Sequence, residues 1–469
     1  MMNYSSVVRV LALLMLILAG CAASAALVAL MLGDRPQLVS FGATALGISV
    51  FASSLLLLTP KPARPARPSD ALAVVLLWWL LSPFAAAMPF VFGVGNDSVI
   101  AAVFEAASCL TTTGHSMLSF PANTWPESLI YWRAILHLLG TYAAVVMAAG
   151  VFAAINLGGP GVHRTVLFTV PESSYFDAMP RIYIAAGTMI AICVSFVLLL
   201  LLVSGMPPAR ALANAISAIS TGLVLPDADL AMPRGIAAQL VMSVGLALGA
   251  LGLAVWLPLR IGAMKSMLLD PETSVFLGLA LLFALALLPL GLAFGDSLAW
   301  SVSALSTSGL PLTEGARDAA IPITIQVLPC LIGGSALSAA GGIKIARFIV
   351  LGQRAGQEFR QLGYRRSVLS FRFRDRELDE RSVIGVWVYF IGYVLAVFLV
   401  MAGFSFLGSP FEDAVRLSIG ALTSSGGLMS ESANGIGPQG QVLLILAMLL
   451  GRVEILTVLP ALSLSFWRG

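Results

Sequence analysis

The chain has 469 residues, of which 59% are hydrophobic and 10% charged, with a formal net charge of +3. A soluble domain carries roughly 25% charged residues, and a mean hydropathy of +0.96 leaves too little polar surface to face water. These values exclude a soluble fold, leave no room for a separate globular domain, and point to an all-α polytopic membrane protein.

In chain order, apolar runs predict spans near 7–32, 36–59, 70–94, 128–156, 181–205, 235–259, 273–294, 318–352, 383–407 and 438–462. Each is long enough to cross a hydrocarbon core of about 30 Å. The first run contains Leu18-Ala19-Gly20-Cys21, which looks like a lipoprotein cleavage site. The run continues to Leu32 and another comes directly after it, so a first membrane helix is expected rather than a removed leader. The eighth run is broken at Gly333-Gly334 and again at Gly341-Gly342. Cys21, Cys109, Cys193 and Cys330 lie in apolar segments without metal-like spacing and are expected to be buried small hydrophobes. His115, His137 and His163 are too dispersed for a metal site.

Lys and Arg sort onto one side of these spans. Lys61, Arg64 and Arg67 lie in the link 60–68, His163, Arg164 and Arg181 flank the next loop on that side, and Arg260 and Lys265 come next. The link 344–381 then holds ten Lys/Arg against five Asp/Glu. The opposite loops carry Asp34, Asp97, Asp227, Asp229 and Glu314. Both termini are therefore expected in the cytoplasm of a multi-pass protein. A basic run beside a membrane serves as a topology determinant or an anionic-lipid contact. The 344–381 link is longer and more mixed in charge than orientation requires, which suits a docking surface.

Four short islands do not read as spanning helices. They are Ser108-Cys-Leu-Thr-Thr-Thr-Gly114, Ile216-Ser-Ala-Ile-Ser-Thr-Gly222, Ser303-Ala-Leu-Ser-Thr-Ser-Gly309 and Gly420-Ala-Leu-Thr-Ser-Ser-Gly426. Their glycines are 108, 87 and 117 residues apart, one island per pair of long helices. Each comes after an amphipathic stretch of about a dozen residues (98–110, 209–219, 296–306, 411–423), too short to cross and long enough to re-enter. One island alone reads as a capped loop or a small-residue packing contact. Four in one register imply a supersecondary unit used four times. The predicted division is 1–68 for two extra N-terminal helices, then units 69–160, 161–265, 266–381 and 382–469.

Non-helical backbone at membrane depth is tolerated where it lines a water-filled cavity or is buried in protein. Four such loops meeting on an axis would offer rings of carbonyl oxygens that replace an ion's hydration shell. The candidate ion-binding residues are Thr112, Thr113, Gly114, Ser220, Thr221, Gly222, Thr307, Ser308, Gly309, Ser424, Ser425 and Gly426. No acidic ring accompanies them, which favours a monovalent over a divalent cation.

With these residues in view, the chain resembles the Trk/Ktr/HKT potassium transporter superfamily, and within it the bacterial TrkH/TrkG uptake subunits. The likeness rests on Phe104-Glu105 before Leu110-Thr-Thr-Thr-Gly114, Tyr131-Trp-Arg133, Gly158-Gly159 ahead of Arg164, and Gly341-Gly-Ile-Lys344. The C-terminal Gly451-Arg-Val-Glu-Ile-Leu-Thr457 with Phe466-Trp-Arg468 completes it. The resemblance implies four helix–pore loop–helix units around a pore, with potassium as the transported ion at the filter residues and no cofactor. It also implies an intramembrane loop, here Gly333, Gly334, Ser335 and Ser338 through Gly341 and Gly342, that blocks the path, with Arg452 helping to hold it shut. Arg452 could instead pair with Glu454 or with the loop's carbonyls, and Glu105 is expected to pack against Arg133. The family pairs as homodimers in the membrane lipid and is regulated by a cytosolic nucleotide-binding RCK (TrkA-like) subunit, for which the links 157–180 and 344–381 are candidate docking surfaces. No Gly-rich phosphate loop occurs in this chain.

The chain departs from the family pattern at Leu337, Ala339 and Ala340, where more glycine and a threonine are usual; the changes should stiffen the loop. His137-Leu-Leu-Gly140-Thr141 replaces Gln-Trp-x-Gly-Gly, and no proline comes after Gly426-Gly427. These departures bear on gating and on preference for potassium over sodium. A proton- or sodium-coupled carrier is the alternative. Such carriers have two repeats rather than four, and Glu454 is the main acidic candidate within a span. A membrane-embedded enzyme lacks any nucleophile–base or metal constellation.

Overall fold

The computed structural model describes residues 3–61, 68–94, 98–118, 120, 125–148, 175–226, 231–252, 256, 269–317, 320–363, 372–373, 376–377, 380–430, 432–433 and 435–454, with 457, 458, 461, 463, 466 and 467 beyond them. The predicted link 157–180 lies outside these residues except for the start of a helix at Tyr175, as do Gly158, Gly159, His163 and Arg164. Apart from one two-residue hairpin pairing, Arg372–Phe373 with Arg376–Glu377, the described chain is helical.

Helices Tyr4–Met31 and Arg35–Leu58 form an antiparallel hairpin. The turn between them needs Gly33 at φ 72, a conformation open to glycine. Asp34 then caps the second helix by accepting from the Gln37 N–H at 3.3 Å. Its other oxygen accepts the Ser128 hydroxyl at 2.9 Å, fastening the hairpin to the helix Glu127–Met147. The first helix buries Ala12, Ala19, Ala22, Ala25 and Ala29. Small residues at this spacing let helix backbones approach where lipid offers no hydrophobic drive.

The rest of the chain forms three long–short–long sets and one variant. Pro68–Val94, Val99–Leu110 and Glu127–Met147 make the first; Tyr175–Val203, Pro208–Ser220 and Ile236–Leu251 the second. The fourth is Glu380–Phe406, Phe411–Thr423 and Pro438–Val453. The third begins with Pro271–Leu287 and the short helix Phe294–Leu305. Its last helix is split into Ile323–Ile332 and Ile345–Gly363, with non-helical backbone between. The break falls where the glycine pairs predicted it.

Seven described helices are long and apolar enough to cross a membrane; Val99–Leu110, Ile236–Leu251, Ile323–Ile332 and Pro438–Val453 are shorter apolar helices. Pro438–Val453 stops well before the predicted end at 462, where Glu454 turns the backbone to φ 64. At 1.5 Å per residue the middle helix of each set, 12 or 13 residues, is about 20 Å long, less than a hydrocarbon core of about 30 Å. On the outer faces Leu57, Leu58, Val203 and Phe406 are exposed, as expected of side chains that meet lipid.

Charge is distributed the other way. The described charged side chains that are buried are Asp70, Glu105, Arg133, Glu272, Lys344, Arg347 and Arg452. All but Asp70 contact the four loops, the break in the third set, or the residues flanking that break.

Candidate functional site

The four short helices end alike. Each leads at once, or after one residue, into a non-glycine residue in the left-handed region: Thr112 (φ 60), Thr221 (φ 54), Thr307 (φ 60) and Ser424 (φ 56). Such backbone costs roughly 1–2 kcal/mol per residue, so its recurrence at four equivalent places marks a shape the fold imposes. Three of the turns carry the same staple. Ser108 donates its hydroxyl to the His115 carbonyl at 2.6 Å, and Ser303 to the Leu310 carbonyl at 2.8 Å. Ser217 occupies the same position and accepts from the Val224 N–H at 3.0 Å. The fourth has Gly420 there, because Met429 fills the space a Cβ would need.

This common frame corrects the register read from the glycines. Counting from the left-handed residue, Gly114, Gly309 and Gly426 stand two positions on. In the second loop Gly222 stands one position on, and Leu223 occupies the place of the other three glycines. The sequence aligned Gly222 with its counterparts because it was the only glycine available.

The loops lie backbone to backbone. A Cβ on Gly114 would run into Leu223, one on Gly222 into the Thr112 carbonyl, and one on Gly426 into the Thr113 carbonyl. Gly309 and Gly427 stand against each other in the same way. The Gly427 N–H also donates to the Ser308 carbonyl at 3.3 Å. The first loop therefore sits between the second and fourth, and the third abuts the fourth. Glycines in the succeeding helices close the arrangement from outside. Gly140 sits on the Leu110 carbonyl, Gly249 on that of Ile219 and Gly451 on that of Leu422. These carbonyls are equivalent, each two residues before the left-handed residue.

The predicted ion-binding side chains are all buried in these loops. The Thr113 and Thr111 hydroxyls bond each other at 2.9 Å, and Ser425 lies 3.6 Å from the Cys330 sulfur. The Ser220 hydroxyl donates to the Ser217 carbonyl at 3.4 Å. The hydroxyls of Thr221 and Ser308 are buried with no hydrogen-bond partner in the described chain. An unsatisfied buried hydroxyl costs about 1–3 kcal/mol. Oxygens left open in this way suit ligands for a cation rather than packing groups.

The break in the third set lies directly against these loops. The Gly341 N–H donates to the Thr307 hydroxyl at 2.8 Å, and a Cβ on Gly341 would strike the Thr423 carbonyl. Ser335 donates its N–H to the Ala250 carbonyl at 2.8 Å and its hydroxyl to the Leu251 carbonyl at 2.9 Å. Arg452 donates to the Ala339 carbonyl at 2.7 Å and to the Thr112 hydroxyl at 3.1 Å. One guanidinium thus joins the broken segment to the first loop. Of the two pairings open for Arg452, the loop carbonyl is the one found; Glu454 instead pairs with Arg347 at 2.6 Å. The substitutions Leu337, Ala339 and Ala340 fall at ordinary φ values. The left-handed positions between 333 and 344 are Gly333 (φ 73), Gly342 (φ 79) and Lys344 (φ 81).

Sequence reasoning placed Lys344 and Arg347 in the basic link and passed over Glu272. All three are buried against the break. The Glu272 carboxylate accepts the Ala336 N–H at 2.8 Å. Lys344 donates to the Ala340 carbonyl. Arg347 donates to the Ile343 carbonyl at 3.1 Å, lies 3.8 Å from the centre of the Tyr389 ring, and pairs with Glu454. The overlooked signal was their position: Lys344 and Arg347 interrupt the apolar run 318–352, and ionisable residues inside such runs are functional candidates by default. The first part of the 344–381 link is helix, Ile345–Gly363, and most of residues 364–381 lie outside the described chain. Breaking a buried ion pair costs about 3–5 kcal/mol. Arg347→Met is therefore expected to lower the thermal unfolding midpoint in detergent clearly. A midpoint equal to that of the parent chain would mean the pair contributes nothing.

Glu105 and Arg133 form the expected ion pair, both fully buried behind the first loop. Cys109 and Cys330 are buried, whereas Cys21 and Cys193 are only half-buried; all four are free thiols.

A family model described as TrkH, cation transport protein, matches residues 284–465. Among curated proteins, the chain is 26% identical over 495 residues to the Trk system potassium uptake protein TrkH of Vibrio parahaemolyticus, covering 100% of both chains. It is 28% identical over 489 residues to the Trk system potassium uptake protein TrkI of Halomonas elongata, covering 99% of this chain and 97% of the other. The crystal structure of the potassium transporter TrkH from Vibrio parahaemolyticus superposes with a TM-score of 0.85 at 25% identity, over 100% of each chain. The resemblance read from the sequence therefore extends over the whole chain, and these relatives are named as potassium uptake or transport proteins.

Proposed function

Because the chain is TrkH-like along its whole length, we propose that it takes up potassium across the bacterial inner membrane. Four units, within 69–160, 161–265, 266–381 and 382–469, surround one path, and the two helices before residue 68 brace the first unit. Ions pass a filter built from the backbone and hydroxyls of the four loops. The segment Gly333–Gly342 closes the path beneath it, and Arg452 holds that segment shut. Sorting of Lys and Arg puts both termini in the cytoplasm.

The observation that carries this reading is the fourfold left-handed turn at Thr112, Thr221, Thr307 and Ser424. A single shape imposed four times on Ser and Thr supports a ring of oxygens without fixed charge, which is what a monovalent cation stripped of water needs. The unpartnered Thr221 and Ser308 hydroxyls support it further. Leu223, in place of the expected glycine, makes the ring unequal and favours a second reading in which sodium also passes. A homodimer regulated by a cytosolic RCK subunit completes the proposal, with the helix Ile345–Gly363 as the element through which such a partner would reach the closing segment.

Expression in a bacterial strain lacking its own potassium uptake tests the reading. Growth at low external potassium is the expected result. Failure to grow, with the protein inserted in the membrane, would contradict it.

A further inference from the structure

The loops meet their neighbours in two different ways. Between the third and fourth, backbone holds backbone, through Gly427 N–H to Ser308 carbonyl at 3.3 Å and the close approach of Gly309 to Gly427. Between the first and second, where backbone also lies close on backbone, a side chain supplies the hydrogen bonds that join them. Arg133, on the helix Glu127–Met147, donates through Nε to the Val224 carbonyl at 2.7 Å. It donates through one terminal nitrogen to the Gly114 carbonyl at 2.6 Å and the Leu223 carbonyl at 2.9 Å. Its other terminal nitrogen pairs with Glu105, on the short helix Val99–Leu110. One fully buried guanidinium therefore gathers three carbonyls from two loops.

The surroundings of the clamp are built to hold it. The second oxygen of Glu105 accepts the Ser116 hydroxyl at 2.7 Å, so the carboxylate is fixed from both sides. The Trp125 ring lies 5.3 Å from the guanidinium carbon, and Phe120 packs 4.5 Å from Trp125. A planar fork with five donors can span several acceptors at set angles; an ammonium on a flexible stem cannot.

We propose that Arg133 is a selectivity-determining positioning residue, acting through the backbone of the first two loops. The three carbonyls it holds are fixed in orientation, and one nitrogen of the guanidinium ties Gly114 to Leu223 across the junction. This junction is where the second loop lacks its expected glycine. A side-chain clamp supplies the register that a fourth matched glycine would otherwise help define. The proposal rests on the reading of these loops as the filter. Its content is that ion preference, and not only stability, depends on the fork.

Arg133→Lys keeps the charge and the partnership with Glu105 but removes the fork. In proteoliposomes, the ratio of rubidium to sodium uptake is measured for the parent chain and for the variant, each shown monodisperse beforehand. The expected result is a fall in the ratio of roughly tenfold, equivalent to about 1.4 kcal/mol of lost discrimination. An unchanged ratio at lower flux would reduce Arg133 to a structural role and overturn the proposal. If Arg133→Lys does not insert, Ser116→Ala serves instead. It frees one side of Glu105 while leaving Arg133 in place, and again a lowered ratio supports the clamp and an unchanged one overturns it. A parent chain that does not discriminate rubidium from sodium would instead sink the filter reading itself, so the two failures are distinguishable.

Discussion

Gly114→Leu is expected to reduce rubidium uptake by roughly hundredfold or more, the equivalent of about 3 kcal/mol, while the protein still reaches the membrane. Two costs combine. At φ 78 a side chain is strained wherever it points. Its Cβ would also overlap the backbone of Leu223, which is itself held by Arg133 and cannot retreat without opening the junction between two loops. The overlap is with backbone, so no rotamer change relieves it. Gly47→Leu is the matched control, because that glycine has nothing within 4 Å of where a Cβ would lie. Rubidium uptake by Gly114→Leu equal to that of Gly47→Leu would remove the first loop from the ion path.

Arg452→Ala is expected to raise basal flux, by roughly thirty- to a thousandfold if two charge-assisted hydrogen bonds worth about 2–4 kcal/mol together are lost from the closed state alone. The bonds run to the Ala339 carbonyl in the broken segment and to the Thr112 hydroxyl in the first loop. On the proposed reading, removing the guanidinium also takes a positive charge out of the cation path. Three contacts still oppose opening: Gly341 to Thr307, Glu272 to Ala336, and Lys344 to Ala340. If those contacts suffice, the rise falls at the low end. Flux equal to or below that of the parent chain would assign Arg452 to stability only.

Much of this was legible in the residues. The short helices and their Ser/Thr-rich ends stood out because four islands of one composition are a pattern that periodic spans do not produce. The break was readable because glycine pairs interrupt an otherwise continuous apolar run. Arg452 stood out as a cation inside an apolar helix. The register of the second loop was not readable, since it is defined by which residue turns left-handed, and Thr221 adopts that turn without any glycine to announce it. Lys344, Arg347 and Glu272 were hidden for a different reason. Glu272 sits at the edge of an apolar run, where charged residues ordinarily anchor a helix at the interface, and Lys344 and Arg347 read equally as the start of the basic link. Only the packing of the split helix under the four loops turns them inward. The three-carbonyl clamp of Arg133 joins residues 91 positions apart in sequence, which local pattern cannot reveal.

Whether this chain by itself forms a path that prefers potassium to sodium is decided by one tracer experiment. Purified protein in proteoliposomes is loaded with potassium and placed in rubidium tracer, with roughly a tenfold excess of either potassium or sodium outside. Uptake suppressed by external potassium and little affected by sodium is the predicted result. Tracer accumulation no greater than in empty liposomes, or equal suppression by both ions, would show that the chain forms no such path.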